Sequence, residues 1–398
     1  MTPPFIEAWD FANVPVMPFT QLFNWADDAD RYHTGGPLWP DWEHQTGARF
    51  QLVMDEGYGP VDEAPPLLEP ETVHEGDHFF WIGPLYNHFG HQIRDLSARI
   101  LPSLIADPEA VLVFGRFGHE GDSLDSVPPF IADILRWYSV PPERVLLVNR
   151  PALFRRLRVM TQPEMGRIQD DSEPPNPAYV EALTTHAQSR LPVVERAGVV
   201  FVSRSRARPL LSGEALLDAW FAASGHQVVY PEELNVQAQL ELYASAETIV
   251  FTEGSAVHGA QLLGRNLGHV VVLVRRPGRR LGRAFLLPRS ERVTHIEALT
   301  GLVSAASESQ QVHGFAVVDP VRLRADLEAA GIAMPVALDP LAFAEAQEHD
   351  LTRWCGRWGE PMARGGGEVA RAQMRRSLLE ADPPGLASAL RWLDALDA

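Results

Sequence analysis

Two groups of residues in this sequence have the types and spacing for chemistry. One is the run Tyr86-Asn87-His88-Phe89-Gly90-His91-Gln92-Ile93-Arg94-Asp95. Wound as an α-helix from about Asn87, it sets Phe89, Ile93, Leu96 and Ile100 on one apolar stripe, with His88, His91, Asp95 and Arg99 on a second. His91 and Asp95 stand four apart and can touch, giving an oriented imidazole able to accept a proton. The alternative is an Asp95–Arg99 helix pair with His91 exposed. A zinc site on His88 and His91 lacks a third ligand and there is no HExxH pattern, so no metal is expected.

The other group lies between Ser203 and His258. ETIVFTEGSAVHGAQLLG, Glu247 to Gly264, is an apolar strand that passes through Glu253-Gly254-Ser255 into a helix. A helix start has unpaired N–H groups and a positive dipole end, so it attracts anions. Neighbouring strands should deliver Arg204-Ser205-Arg206-Ala207-Arg208 and Pro231-Glu232-Glu233 to the same edge. Arginine beside a helix N-terminus suits a diphosphate, and a nearby carboxylate suits ribose or sugar hydroxyls. Each residue also has a plain reading. The arginines could form a solvated loop, the glutamates a cap for the next helix, and Gln239 a surface amide; His258 could face the cleft or simply cap and pack.

The elements that must position these residues follow from the pattern. Residues 1–75 are rich in Pro, Trp and acidic groups with little periodicity and read as an irregular N-terminal segment with a few short strands. From His78 short apolar strands alternate with helices: a strand HFFWIG, a helix Phe89–Ile105, AVLVFG, and a helix Phe130–Tyr138. VLLVN at 145–149 and LRVMT at 157–161 follow, with a helix from Pro177 to Arg190. A second alternation starts after Pro192, with strands at Val199–Ser203, Gln227–Tyr230, Thr248–Phe251 and His269–Val274. Its helices are Gly213–Ser224, Val236–Ser245 and Ser255–Leu263, and Phe315–Val318 could add one more strand. Such alternation indicates parallel sheets covered on both faces. The fold expected is α/β, with two Rossmann-like domains at 76–192 and 193–320 facing a cleft. A helical tail at 321–398, broken at Gly365–Gly367, is expected to pack back on the first domain.

Composition removes several function classes. All 34 Lys+Arg residues are arginine, which excludes a Walker-type lysine, a Schiff-base enzyme and a pyridoxal-phosphate anchor. Charged recognition of an anion therefore falls to arginine, which grips phosphate bidentately. A formal charge of −18 argues against nonspecific nucleic-acid binding. Cys355 is the single cysteine, so no internal disulfide or cysteine-cluster metal site can form. No signal peptide or membrane span is visible, and a cytoplasmic location is expected. No strand is followed by G-x-G-x-x-G, which disfavours a nicotinamide-dependent oxidoreductase.

Taken in order, Ser203-Arg204, Gly213-Glu214, Gly225-His226-Gln227-Val228, Glu233-Leu234, Gln239 and Glu253-Gly254-Ser255-Ala256-Val257-His258 resemble the glycosyltransferase 61 family. NHFGHQIRD is similar to that family's early aromatic-and-His motif, with His91 matching its histidine and Asp95 its acid. Two departures stand out: Gly90 breaks the double aromatic, and His258-Gly259 replaces a frequent Asn. The resemblance implies an inverting, metal-independent GT-B transferase of capsular-polysaccharide type. It would use no cofactor, take a nucleotide-sugar, a UDP-sugar by family habit, and pass the sugar to a glycan or other hydroxyl acceptor. Arg204 with the backbone N–H groups of Ser255 and Ala256 would hold the diphosphate, and Glu233 and Glu253 the nucleoside or sugar hydroxyls. Arg206, Gln239, Gly254 and His258 complete the implied donor site. His91 oriented by Asp95, or Asp95 itself, would act as base. A catalytically silent nucleotide- or glycan-binding protein on the same fold is the alternative.

Overall fold

The computed structural model describes residues 7–22, 33–54, 57–60, 62–164, 174–207, 210–305 and 313–396. Two main sheets with helices packed against them make a mixed α/β architecture. The first sheet contains β1 (Ala8–Gln21), β2 (His33–Pro37), β3 (Phe79–Pro84), β4 (Val111–Gly115), β5 (Val145–Val148) and β6 (Ala152–Met160). Their spatial order is β2-β1-β6-β3-β4-β5, with Asp62–Glu63 beside β2 and Thr72–His74 on β6. β6, β3, β4 and β5 run parallel, and β1 lies antiparallel to β6.

β1 is the main departure from expectation. Residues 1–75 read as irregular with at most short strands; within them Pro15 and Pro18 interrupt the strand pattern, and proline removes a ladder donor. Even so, Ala8–Gln21 is a fourteen-residue strand inside the sheet, pairing Val14 with Phe154 and Val16 with Ala152. Val14, Val16 and Phe19 are buried against Trp81, Val113 and Phe154. Burying each such side chain contributes about 1.5–3 kcal/mol, which outweighs the local cost of the prolines.

The second sheet follows the sequence closely. β7 (Val199–Val202), β8 (Gln227–Val229), β9 (Thr248–Thr252), β10 (Leu267–Leu273) and β11 (Ser290–Ile296) are all parallel, in the order β8-β7-β9-β10-β11. Val200, Phe201, Ile249, Val250, Phe251 and Val270 to Val272 are almost wholly buried, as the continuous apolar runs require of a sheet covered on both faces. The chain enters at β7, steps outward to β8, then crosses back to β9. Such a reversal marks the position, beyond the carboxyl ends of β7 and β9, where ligands bind in open α/β sheets. The first sheet has its own reversal: from β3 the chain moves to β4 and β5, then returns to β6 on the other side of β3.

Phe315–Val318 does form a strand, but it pairs antiparallel with Leu299–Val303 as a separate two-stranded sheet. The C-terminal helices pack on that hairpin and on the second half, not on the first. Gln347 bonds Ser212 Oγ and the Val318 carbonyl, and Leu351, Trp354, Met374, Leu378 and Leu393 bury Phe315 and Val317. Gly367, at φ +60°, separates the helices Glu360–Gly365 and Gly367–Ala381. A single apolar cluster runs from Phe80 and Phe114 of the first sheet to Val202, Ile249 and Phe251 of the second. Among the described residues no helix is long and apolar enough to cross a membrane.

Candidate functional site

Beyond β3 the chain does not form the continuous helix Phe89–Ile105. One α turn, Phe89–His91, leads into a π turn, Gln92–Leu96, and the α-helix proper spans Ile100–Ala106. Gln92 anchors this wide turn: its Oε1 accepts from the Tyr86 N–H at 2.9 Å and its Nε2 donates to Ser97 Oγ at 3.2 Å. π turns are rare and tend to occur where a side chain is being aimed. Here the aim is His91, whose Nδ1 lies 3.0 Å from Asp95 Oδ2, while Arg94 Nε donates to Asp95 Oδ1 at 2.7 Å. Arg99 is not Asp95's partner; it donates to the Ala48 and Arg49 carbonyls.

Asp95 is fully buried. Burial alone would raise its carboxyl, but the Arg94 charge and the hydrogen bonds from His91 and Arg94 outweigh it and bring it down to about 2. An ionised carboxylate only accepts, so the His91 nitrogen that faces Asp95, Nδ1, carries a proton.

At the second sheet, β9 ends in Thr252 and the chain turns through Glu253 and Gly254 into a 3-10 helix, Ser255–Leu263, where an α-helix was expected. Arg204, which follows β7, lies across this corner. Its Nη1 donates to the Glu253 carbonyl at 2.7 Å. A Cβ on Gly254 would stand 2.6 Å from Arg204 Nε and 2.8 Å from its Cζ, so glycine is what lets the guanidinium close on the backbone. The Arg204 N–H donates to Glu214 Oε1 at 2.8 Å. Burial pushes that carboxyl up to about 7 despite the Arg204 charge.

The two groups meet. His88, whose Nδ1 accepts from the His91 N–H, places Nε2 3.5 Å from Ser255 Oγ, the outer limit of a hydrogen bond. Gly90 sits against the 3-10 helix so closely that a Cβ would be 2.9 Å from His258 Cδ2 and 3.3 Å from Ser255 Cβ. The break in the double aromatic thus has a steric reason. His258 is buried and bonds Gln261 Oε1 through Nδ1 at 2.9 Å; burial, then the Arg94 charge, lowers it to about 3, so it is neutral. Gln261 passes the contact to Glu164, which forms a two-point ion pair with the buried Arg289.

Of the residues singled out from sequence, Arg204, Gly254, Ser255 and Ala256 lie together beyond the carboxyl ends of β7 and β9, and His91 with Asp95 stands beside them through His88. Four others turn elsewhere. The Glu253 side chain points inward: Oε2 accepts from the Arg275 and Arg276 N–H groups at 2.7 and 3.0 Å, and Oε1 from Arg276 Nε at 2.5 Å. Gln239 is buried and ties down the Pro231 and Leu234 carbonyls. Glu233 and Arg206 pair at 2.6 Å on the exposed rim, with Arg206 stacked 3.6 Å over the Tyr230 ring. Arg208 lies outside the described residues.

Arg275 and Arg276 are not among the residues singled out from sequence, and Arg94 and Glu214 enter there only within longer motifs, with no role of their own. The signal for Arg275 and Arg276 was present: Arg275-Arg276-Pro277-Gly278-Arg279-Arg280 follows β10, a parallel neighbour of β9 ending at the same edge. Among the described residues no cluster of three or more His, Cys, Asp or Glu side chains is placed to hold a metal ion.

No curated protein matches the chain. One family model does, described as Glycosyltransferase 61, and it supports a glycosyltransferase activity with a sugar donor and an acceptor. The matched residues, 166–269, span β7, β8 and β9 with the Arg204 and Gly254-Ser255 loops, and stop inside β10, leaving the His91 turn outside. Over residues 166–269, therefore, the chain is similar to the glycosyltransferase 61 family.

Proposed function

We propose that the protein is an inverting, metal-independent glycosyltransferase that moves a sugar from a nucleotide-sugar, a UDP-sugar, to a hydroxyl acceptor. The arrangement proposed is GT-B-like, with an acceptor domain at 76–192 and a donor domain at 193–320. One observation carries the reading: loops from the carboxyl ends of parallel strands in the two sheets touch at His88 and Ser255, joining a His–Asp pair to an arginine-backed anion corner.

The chemistry follows from the residues. Arg204 and the N–H groups of Ser255 and Ala256 hold the diphosphate, in the role a divalent ion could otherwise fill. The acceptor oxygen attacks the anomeric carbon from the face opposite the diphosphate. As the new C–O bond forms, the bond to the diphosphate oxygen breaks, and the leaving group keeps the electron pair. The acceptor's proton goes to His91 Nε2, and the Asp95 carboxylate steadies the imidazolium that results. Asp95 is a poorer choice of base, because both its oxygens are engaged and its side chain is buried. Gln239 and Glu253 act by shaping the loops, and the Arg206–Glu233 pair borders the donor site.

The test is transfer from a panel of nucleotide-sugars with chelator present. Transfer with inversion, undiminished by the chelator, is expected. Nucleotide binding with no transfer or hydrolysis from any donor would instead favour a silent binding protein, and stabilisation by NAD but not by UDP or GDP would exclude the donor-site reading.

A further inference from the structure

We infer that Arg276 is a second diphosphate-binding arm, closing on the ligand from β10 opposite Arg204 and making the corner selective for diphosphates over monophosphates. The inference rests on the proposed donor site and adds a residue that neither the resemblance nor the family match reaches.

Three observations support it. First, both arginines are anchored on one residue beside Gly254. Arg204 bonds the Glu253 carbonyl, and Arg276 grips the Glu253 carboxylate through Nε and Nη2. That leaves Arg276 Nη1 without a hydrogen bond among the described residues, on a side chain that keeps about a quarter of its surface exposed, 23%. Second, among the described residues Arg275 and Arg276 have fewer carboxylate partners than charges. Arg275 and Arg276 share the single Glu253 carboxylate, and the Arg275 guanidinium makes no bond to it. Arg275 instead donates Nη1 to the Gly314 carbonyl, and its Nε is buried without a partner among the described residues. Glu214, the other carboxylate in electrostatic reach, is held near 7 by burial and so is only partly ionised at neutral pH. Burial, with the charges of Arg204 and Arg276, depresses Arg275 to about 9 although Glu253 opposes this. Buried cationic surplus is costly, and an anion of more than one charge relieves it.

Third, the two arginines reach the corner from opposite sides. The extended corner Glu253-Gly254-Ser255 separates an arginine from β7 and an arginine from β10, strands that flank β9 on opposite sides. A single phosphate can satisfy one guanidinium; a diphosphate can span both. Arg276 Nη1 adds a charge-assisted hydrogen bond from the second side.

Calorimetric titration of the full chain with inorganic pyrophosphate, UMP and UDP tests this, with Arg276→Gln and Arg276→Lys beside the wild type. Expected is tighter binding of both diphosphates than of UMP by at least about tenfold, with Arg276→Gln losing most of that margin and leaving UMP unchanged. Arg276→Lys should regain part of it through charge alone. That variant keeps the inference testable if the Gln variant fails to fold, because a Lys variant with the full wild-type preference would overturn the bidentate arm. UDP bound as tightly by Arg276→Gln as by wild type, while Arg204→Gln loses it, would overturn the inference and leave the donor site standing. Failure of wild type to bind either diphosphate would overturn both. Binding of UDP but not pyrophosphate would show that the nucleoside supplies the affinity, and would count against the clamp.

Discussion

The His91–Asp95 turn and the Arg204–Gly254 corner adjoin, yet they treat charge in opposite ways. In the turn every charge is paired: Asp95 is gripped by Arg94 and His91, and His258 nearby is kept neutral. At the corner Arg275 and Arg276 share the Glu253 carboxylate among the described residues, and backbone N–H groups add further positive character. The contrast fits a division of labour. A base must return to a defined protonation state after each turnover, which internal pairing secures. An anion site must keep unsatisfied positive potential for its ligand, at some cost to stability.

The comparison breaks first if His91 is not the base. His91→Ala should lower the transfer rate about 10²–10⁴-fold with the donor Kd unchanged, read by initial rates and UDP titration. Asp95→Asn removes the carboxylate between Arg94 and His91. A fall of about 10²-fold in rate is expected, with stability lower by about 3 kcal/mol, because Arg94 loses its buried partner. An unchanged denaturation midpoint would show that the pairing in the turn is not holding structure. Gly254→Ala tests the other side: its Cβ displaces Arg204, and UDP affinity should drop about tenfold with the fold intact by circular dichroism.

The smallest effect concerns pH. Glu214 is raised from 4.5 to about 7 in the folded protein, so between those values the folded state holds a proton that the unfolded state has lost. This group's contribution to stability is full below 4.5 and is lost as pH rises to about 7. Glu214→Gln can still accept the Arg204 N–H but cannot ionise. Its melting temperature should therefore gain on wild type as pH rises from 5 to 7.5. A constant difference across that range would remove Glu214 from the account.

The two regions also differed in how far the sequence disclosed them. Around the corner the apolar runs were continuous and their spacing regular, so β7, β8, β9 and β10 fall within about two residues of expectation. Because parallel strands end at one edge, adjacency of Arg204 and Gly254 followed from order alone. Side-chain direction did not: the inward turn of Glu253 depends on N–H groups from Arg275 and Arg276, twenty-two and twenty-three residues on. In the turn, the His91–Asp95 contact was legible from a four-residue spacing. The π geometry was not, since it arises from the Gln92 bonds to Tyr86 and Ser97, and it removed the expected stripe that included Arg99. The strand Ala8–Gln21 was hidden by its prolines, because the partners that stabilise it lie about 140 residues away in β6.

The most direct test of the division between the two regions is the UDP affinity of Arg204→Gln and His91→Ala, measured side by side by calorimetry. The account predicts that Arg204→Gln weakens UDP binding at least about tenfold and that His91→Ala binds UDP as wild type does. An Arg204→Gln protein that keeps wild-type UDP affinity, or a His91→Ala protein that loses it, would contradict the account.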